Sequence, residues 1–537
     1  MIVMPKFTAL ALAVCLAAPG FAQLKLDPRL PFKGMPRGDM KEIVPGQILV
    51  KLTQDKAAQL ASAPLVGEME GPSIVPGGRF RNRIAQTGWT LWLVPESTDV
   101  RALARRVKLN PEVAYAQPVN KIYPLYTDPN DPDFDYEETN PDYVLDLNDE
   151  GASFRRMWHL TDISAELGWA DYPNVWYTAA TKPRNAPLIA IVDTGVDMDH
   201  PDFINAGGTS SDVPLGGQLQ KSLSKQFRFG EIDPGGTPED EHGHGTHVAG
   251  IAVSAGNSGP FSPQVDNGVL GIGYNSRAMI LRVFDSAGSG SDADAAAAIF
   301  YAADNKADII NLSIGTENYS QLFQDAVTYA FQKGSLVVAA GNEDGNGGGD
   351  LGPIYPAANS GALGVSANGP DRIPATGTYS GFGAYVDIAA PGGDVYFAPD
   401  LSAYKIQFVW STAMRTPGTL WDLSQQGALY PPYDLNYAYL AGTSMASPMV
   451  AGAAGQYYGK FNLRQTDGGS NIRAYRMLEF SAEGVMGAPN GAWEPYQGYG
   501  SLDLFNLLTE TNARGALVGA IEGIVYYNAT PIANVQV

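Results

Sequence analysis

Between Leu188 and Ala389 the chain repeats one pattern: a short strand, apolar along its length and stopped by Gly, Asn or Asp, and then a stretch with helical spacing. The strands read Leu188–Asp193, Met279–Phe284, Asp308–Ser313, Ser335–Ala340 and Tyr385–Ala389, with helical stretches at Asp294–Lys306 and Gln321–Lys333. A strand that is apolar at every position is buried on both faces, and strands joined through helices run parallel. The expected fold is therefore α/β, a doubly wound, mostly parallel sheet with helices on both faces. Chemistry in such sheets sits at the carboxyl ends of the strands.

A length of 537 residues exceeds what one hydrophobic core holds, which is about 250–300 residues. Residues 1–22 read as a secretory signal: Lys6, an apolar run from Phe7 to Ala18, and the small-residue site Gly20-Phe21-Ala22. A Pro-rich linker spans 23–41. Residues 42–122 form a small α+β unit, with strands at Gln47–Lys51 and Thr90–Val94 and an amphipathic helix at Arg101–Lys108. The central domain spans 123–512. Within it Tyr126–Glu150 reads as an exposed connection, and Asn205–Asp240 and Gly393–Tyr439 as long surface insertions. The alternation from Val518 places the start of a C-terminal β-sandwich at 513–537, stopping mid-strand as in a fragment.

The single cysteine, Cys15, lies inside the signal, which leaves the mature chain no thiol for disulfides, metal binding or covalent catalysis. A lipoprotein site at Cys15 is disfavoured by the bulk of Val14 before it. The net charge of −21 argues against nucleic acid as a partner, because phosphates are neutralised by Lys and Arg. No stretch after the signal is long and apolar enough to span a bilayer.

Three islands carry candidate chemistry. Ile191-Val-Asp-Thr-Gly195 puts Asp193 at a strand end, where a carboxylate either orients a histidine or caps a loop. An aspartic-protease reading needs a second such carboxylate, and the chain has no other Asp-Thr-Gly or Asp-Ser-Gly, so only a dimer could supply it. His242-Gly-His-Gly-Thr-His-Val-Ala-Gly250 holds three of the five histidines. A zinc site of the His-x-His-x-Asp-His kind fails, since Thr246 stands where Asp is needed and no histidine follows His247. A general base at a helix start and a packed Gly-rich turn both remain open. Leu440-Ala-Gly-Thr-Ser-Met-Ala-Ser-Pro-Met-Val-Ala-Gly452 places Ser444 at a helix N-terminus, as an N-cap or as a nucleophile beside free N–H groups. An α/β-hydrolase order is excluded because no histidine follows the serine.

Asp193, His244 and Ser444 in this order, together with His200-Pro-Asp202, Gly268-Val-Leu-Gly271, Asn311-Leu-Ser-Ile-Gly315, Val337-Val-Ala-Ala-Gly-Asn342, Tyr355-Pro-Ala357 and Ala389-Ala-Pro-Gly392, resemble the subtilisin-like serine proteases from about Trp158 to Leu504. The resemblance implies a secreted serine endopeptidase with Asp193, His244 and Ser444 as its triad and Asn342 as an oxyanion donor. It implies that Ser313, Ile314, Gly315, Ala340 and Gly341 bind an extended polypeptide substrate. Residues 42–122 resemble the family's inhibitory propeptide, the chain's own intramolecular partner, removed by autocleavage between Ile122 and Asp133. A monomer and no catalytic metal are expected. Asp202 matches a ligand of a structural calcium ion in the family, whereas Gln264–Asn267 departs from the family's calcium loop. The alternative is a catalytically silent scaffold of the same fold used for binding or adhesion.

Overall fold

The structure, a computed structural model, describes residues 43–54, 56, 74–84, 87–125, 157–172, 186–205, 208–255, 269–341, 352–375, 379–397, 404–425, 435–484, 493–510, 526–527 and 530–531. The expected signal, the linker, the connection at Tyr126–Glu150, Gln264–Asn267 and Asn342 lie outside the described residues.

The N-terminal unit is built from β1 (Ile43–Leu52), β2 (Arg79–Ile84), β3 (Trp89–Leu93), α1 (Val100–Val107) and β4 (Val113–Pro124). Its strands pair antiparallel in the order β4-β1-β3-β2. Because side chains alternate across a sheet, Ile48, Val50 and Trp92 face α1 while Leu49, Leu91 and Trp89 face the central domain. Helix α1 starts at Asp99, whose carboxylate accepts from the N–H groups of Arg101 and Ala102. It buries Val100, Leu103, Ala104 and Val107, one helical stripe, on that sheet.

In the central domain β5 (Leu188–Asp193), β6 (Lys225–Arg228), β7 (Glu231–Ile232), β8 (Arg277–Arg282), β10 (Ile309–Leu312), β12 (Leu336–Ala340), β13 (Ala362–Asn368) and β14 (Ile388–Pro391) form one sheet. Its order is β14-β13-β12-β10-β5-β8-β6-β7, and every pairing is parallel except β6 with β7. Two further short strands, β9 (Gly290–Ser291) and β11 (Ile314–Gly315), stand apart from it. The doubly wound α/β fold is thus present. Chain order reverses around β5, flanked by β8 and β10, which puts a crevice at the carboxyl ends of these strands.

Alternate residues along each strand feed two cores. Ile189, Ile191, Ile280, Ile309, Val338 and Val365 belong to the core shared with α4 (His244–Val253), α8 (Thr443–Phe461) and α9 (Ser470–Ser481). On the opposite face Ala190, Val192, Leu281, Leu312 and Val337 meet α5 (Asp292–Asp304), α6 (Gln321–Lys333) and the inner face of the N-terminal sheet. The entry helices α2 (Trp158–Asp162) and α3 (Ala165–Asp171) and the closing helix α10 (Leu504–Leu508) contribute to the first core.

Three expectations need correction. Asn205–Asp240 is not wholly a surface insertion, since it carries β6 and β7 of the main sheet and buries Leu219 and Phe227. The strand expected at Tyr385–Ala389 begins at Ile388; Asp387 before it brackets Gly364 of β13, its N–H donating to the Gly364 carbonyl at 2.9 Å and its carboxylate accepting from the Gly364 N–H at 2.8 Å. Nor is the region Gly393–Tyr439 wholly a surface insertion. It forms β15 (Asp394–Phe397), β16 (Tyr404–Gln407), β17 (Val409–Thr412), α7 (Thr419–Gln425) and β18 (Tyr437–Leu440), and β17 with β18 makes a buried hairpin over α4. The cause is polar as well as apolar: Ser411 and Thr412 hydroxyls donate to the carbonyls of His247 and Thr246 at 2.8 and 2.7 Å. Of the C-terminal segment, Tyr526–Tyr527 pairs antiparallel with Thr530–Pro531; the remainder of 513–537 lies outside the described residues.

Candidate active site

Asp193 ends β5 fully buried, and its Oδ1 lies 2.7 Å from His244 Nδ1 and accepts from the Thr194 N–H at 2.7 Å. Burial pushes this carboxyl above its ordinary range, and His244 beside it pulls it back. His244 opens α4, whose first turn presses so closely on the loop after β5 that a Cβ at Gly245 would stand 2.1 Å from the Gly195 carbonyl. Only glycine fits there. The N–H groups of this helix start need acceptors, and Asp240 supplies them. Its carboxylate takes bonds from the N–H groups of His242, Gly243 and Thr246 and from the hydroxyls of Thr194 and Thr246.

Asp240 thus clamps the loop carrying Asp193 to the helix carrying His244, a role missing from the reading of the sequence. The signal for it was an acid three residues before Gly243. His247, one turn beyond His244, has its Nε2 3.1 Å from the carbonyls of both Val409 and Ala438. Burial holds it down to about 3, so it is a neutral structural tie to the β17–β18 hairpin.

Ser444 stands at the start of α8, a helix of small and apolar residues buried from Thr443 to Tyr458 and packed against α4, β10, β12, β13 and β14. Its hydroxyl donates to the Ser313 carbonyl at 3.1 Å. Neighbouring side chains fix this start: Thr443 donates to the Gly341 carbonyl at 2.9 Å, Ser313 Oγ to the Ser444 carbonyl at 2.9 Å, and Ser447 Oγ to Asn311 Oδ1 at 2.7 Å. Asp193 and His244 thus meet at the end of β5, and Ser444, Ser313 and Gly341 meet just past the ends of β10 and β12, with Ala340 the last residue of β12, all at carboxyl ends of the one sheet.

The crevice is filled by the chain itself. Strand β4 leaves the N-terminal sheet and runs between β9 and β11, pairing antiparallel with both: Lys121 with Ser291 and Ile122 with Gly290 on one side, Tyr123 with Gly315 and Pro124 with Ile314 on the other. At its end the Leu125 carbonyl accepts from the Ser444 N–H at 2.9 Å, and the Leu125 N–H donates to Ser444 Oγ at 2.9 Å. Ser313, Ile314 and Gly315 thus form one wall of an extended-peptide groove, the mode in which main-chain bonds hold a strand.

Behind that groove β4 is bound at two helix starts. Buried Asp292, at the start of α5, accepts from Asn120 N–H at 3.1 Å, Asn120 Nδ2 at 3.0 Å and Gln117 Nε2 at 3.3 Å. Gln117 Oε1 in turn accepts from the Gln321 N–H at the start of α6. On α6, Asp325 pairs with Lys51 and accepts from Trp89 Nε1 at 2.8 Å.

Asp202 lies apart from this centre. Its Oδ1 accepts from the Tyr437 hydroxyl at 3.1 Å and its Oδ2 from the Val269 N–H at 2.9 Å. A calcium ion needs six to eight oxygen ligands, and one hydrogen bond to each Asp202 oxygen leaves a lone pair free on both. Among the described residues no group of three or more His, Cys, Asp or Glu side chains is placed to share a metal. Asp202 is thus a hydrogen-bonded tie, and Gln264–Asn267, the stretch compared with the family's calcium loop, lies outside the described residues.

Residues 184–500 match the profile of the subtilase family and residues 34–119 that of the fervidolysin N-terminal prodomain. A thermophilic serine proteinase from Bacillus sp. (strain AK1) is 28% identical over 466 residues, which cover 87% of this chain and 88% of that one. Thermitase from Thermoactinomyces vulgaris is 34% identical over 315 residues, covering 59% and 86%. The crystal structure of fervidolysin from Fervidobacterium pennivorans, described as a keratinolytic enzyme related to subtilisin, superposes with a TM-score of 0.58 at 24% identity. That match covers 91% of this chain and 64% of the other, and it bears on the fold.

Proposed function

The chain belongs to the subtilase family and is a subtilisin-type serine protease, and from that premise we propose that it is a secreted, self-processing endopeptidase with Asp193, His244 and Ser444 as catalytic residues. One observation carries the proposal: Leu125 enters the crevice as a substrate strand would, with its carbonyl on the Ser444 N–H. A group that accepts this bond in the ground state is the group that becomes an oxyanion when Ser444 attacks.

In the proposed reaction the Ser444 hydroxyl turns from the Ser313 carbonyl, gives its proton to His244, and Oγ bonds to the carbonyl carbon. Asp193 holds the imidazole through Nδ1 and stabilises its charged form. The negative oxygen is met by the Ser444 N–H and, on the family resemblance, by Asn342. The carbon–nitrogen bond then breaks, the His244 proton goes to the leaving amine, and water hydrolyses the acyl-enzyme by the same steps.

The first bond cut is Leu125–Tyr126, so the prodomain ends at Leu125 and the catalytic domain begins at Tyr126. Until it leaves, the prodomain inhibits by filling the groove. The signal at 1–22 directs the chain out of the cell; among the described residues no helix is long and apolar enough to cross a membrane. A fluorophosphonate probe tests the reading: it should label the matured protein at Ser444, and a Ser444→Ala protein should not react. An unlabelled serine in matured protein would contradict it.

A further inference from the structure

Because its carbonyl rests on the Ser444 N–H, Leu125 is the residue before the bond to be cut, and its side chain reports the pocket that any substrate must fill. That side chain is 9% exposed and shares one apolar cluster with Ala340, Ile354, Tyr355 and Ala357. The pocket wall is bare at Gly315. A Cβ there would lie 2.7 Å from Leu125 Cδ1, 2.7 Å from Ile354 Cγ1 and 2.9 Å from Ile354 Cδ1. The leucine methyl and the Ile354 side chain therefore both lie over the Cα of Gly315, within one apolar cluster.

Ile354 is poorly able to give way. It is 3% exposed, and the residue after it is bound on both sides, with Thr316 N–H to the Tyr355 carbonyl and Tyr355 N–H to the Thr316 carbonyl at 2.9 Å each. The Ile354 carbonyl also accepts from the Ala358 N–H at 2.8 Å. A β-branched side chain on such a backbone has few rotamers to move to. A phenylalanine or tyrosine ring, which extends past the δ carbons of leucine, would run into it.

We propose that Ile354 closes the far end of this pocket and makes the protease select a medium-length aliphatic residue, leucine first, over an aromatic one before the scissile bond. The inference rests on Ser444 being the nucleophile. It assigns the substrate class as polypeptides with exposed leucine in extended segments, and it explains why the chain's own first cleavage follows a leucine.

The test compares kcat/KM of the matured full-chain product on peptides that differ only in Leu, Phe or Ala at that position. Leu should exceed Phe by about tenfold or more, since one methylene in such a pocket is worth about 10- to 200-fold. Ile354→Ala should reverse the preference toward Phe, and Ile354→Val, which removes a single methylene, should shift it partway should the alanine protein not fold. A wild-type protein that cuts after Phe as well as after Leu would overturn the inference, as would ratios unchanged in both variants. Fluorophosphonate labelling of the same samples separates the two readings: labelled protein without selectivity overturns this inference alone, whereas inactive, unlabelled protein overturns the reading of the site as well.

Discussion

Leu125 and Ser444 exchange two hydrogen bonds of 2.9 Å, one from the Ser444 N–H to the Leu125 carbonyl and one from the Leu125 N–H to Ser444 Oγ. A folded domain thus offers the end of its own strand to the helix start at which the chemistry is proposed. On the proposed function inhibition and substrate recognition are the same contact, and three predictions test what surrounds it.

Asp193 lies 2.7 Å from His244 Nδ1, and Asp240 joins the elements that bear them. Asp193→Asn preserves the shape while removing the charge that stabilises the imidazolium. The rate of self-cleavage of the full chain should fall by about 10^4, the size seen for this change in another triad protease. A fall of less than tenfold would contradict the assigned role.

Asp292 makes prodomain binding sensitive to pH. Burial raises its carboxyl to about 7, with Ser320 and Asn120 opposing and Asp294 adding to the rise; Asp294 is itself raised to about 6 by burial. Released, Asp292 returns toward an ordinary value of about 3.9. The docked state therefore holds a proton that the released state gives up. Docking is favoured in acid, and that advantage is lost as pH rises from about 4 through about 7. The cleaved prodomain should bind more weakly at pH 8 than at pH 5, and Asp292→Asn should flatten the profile. Binding that strengthens with pH would contradict this.

Tyr437 ties the β17–β18 hairpin to the turn after β5 through Asp202. The phenol's own ionisation is pushed up by burial and by Asp202, so it stays a donor. Tyr437→Phe leaves a buried carboxylate oxygen short of this donor and should cost about 1–3 kcal/mol in denaturant unfolding of the matured protein. Unchanged stability would argue that a cation or another donor holds Asp202.

Much of this was legible because it is local. Gln321–Lys333 was expected as a helix to the residue, and β5, β10 and β12 follow from apolar runs that need no partner to be recognised. The same locality hid β13: Ala362–Asn368 mixes Gly, Ser and Asn with apolar residues and forms a strand only because β12 and β14 flank it. The triad candidates were readable from their motifs, yet Leu125 was not. Nothing in Tyr123-Pro-Leu125 marks a strand until β9 and β11, far along the chain, supply its partners. Asp292 likewise reads as an ordinary helix-start acid, and only the approach of Gln117 and Asn120 gives it a role.

The most direct test of the central claim is the N-terminal sequence and intact mass of the full chain over time, beside its Ser444→Ala variant. The account predicts that the wild type alone shortens, to a species beginning at Tyr126, with the released fragment ending at Leu125. Shortening of both proteins alike, or a first cut in the wild type at any other bond of the 122–133 region, would contradict it.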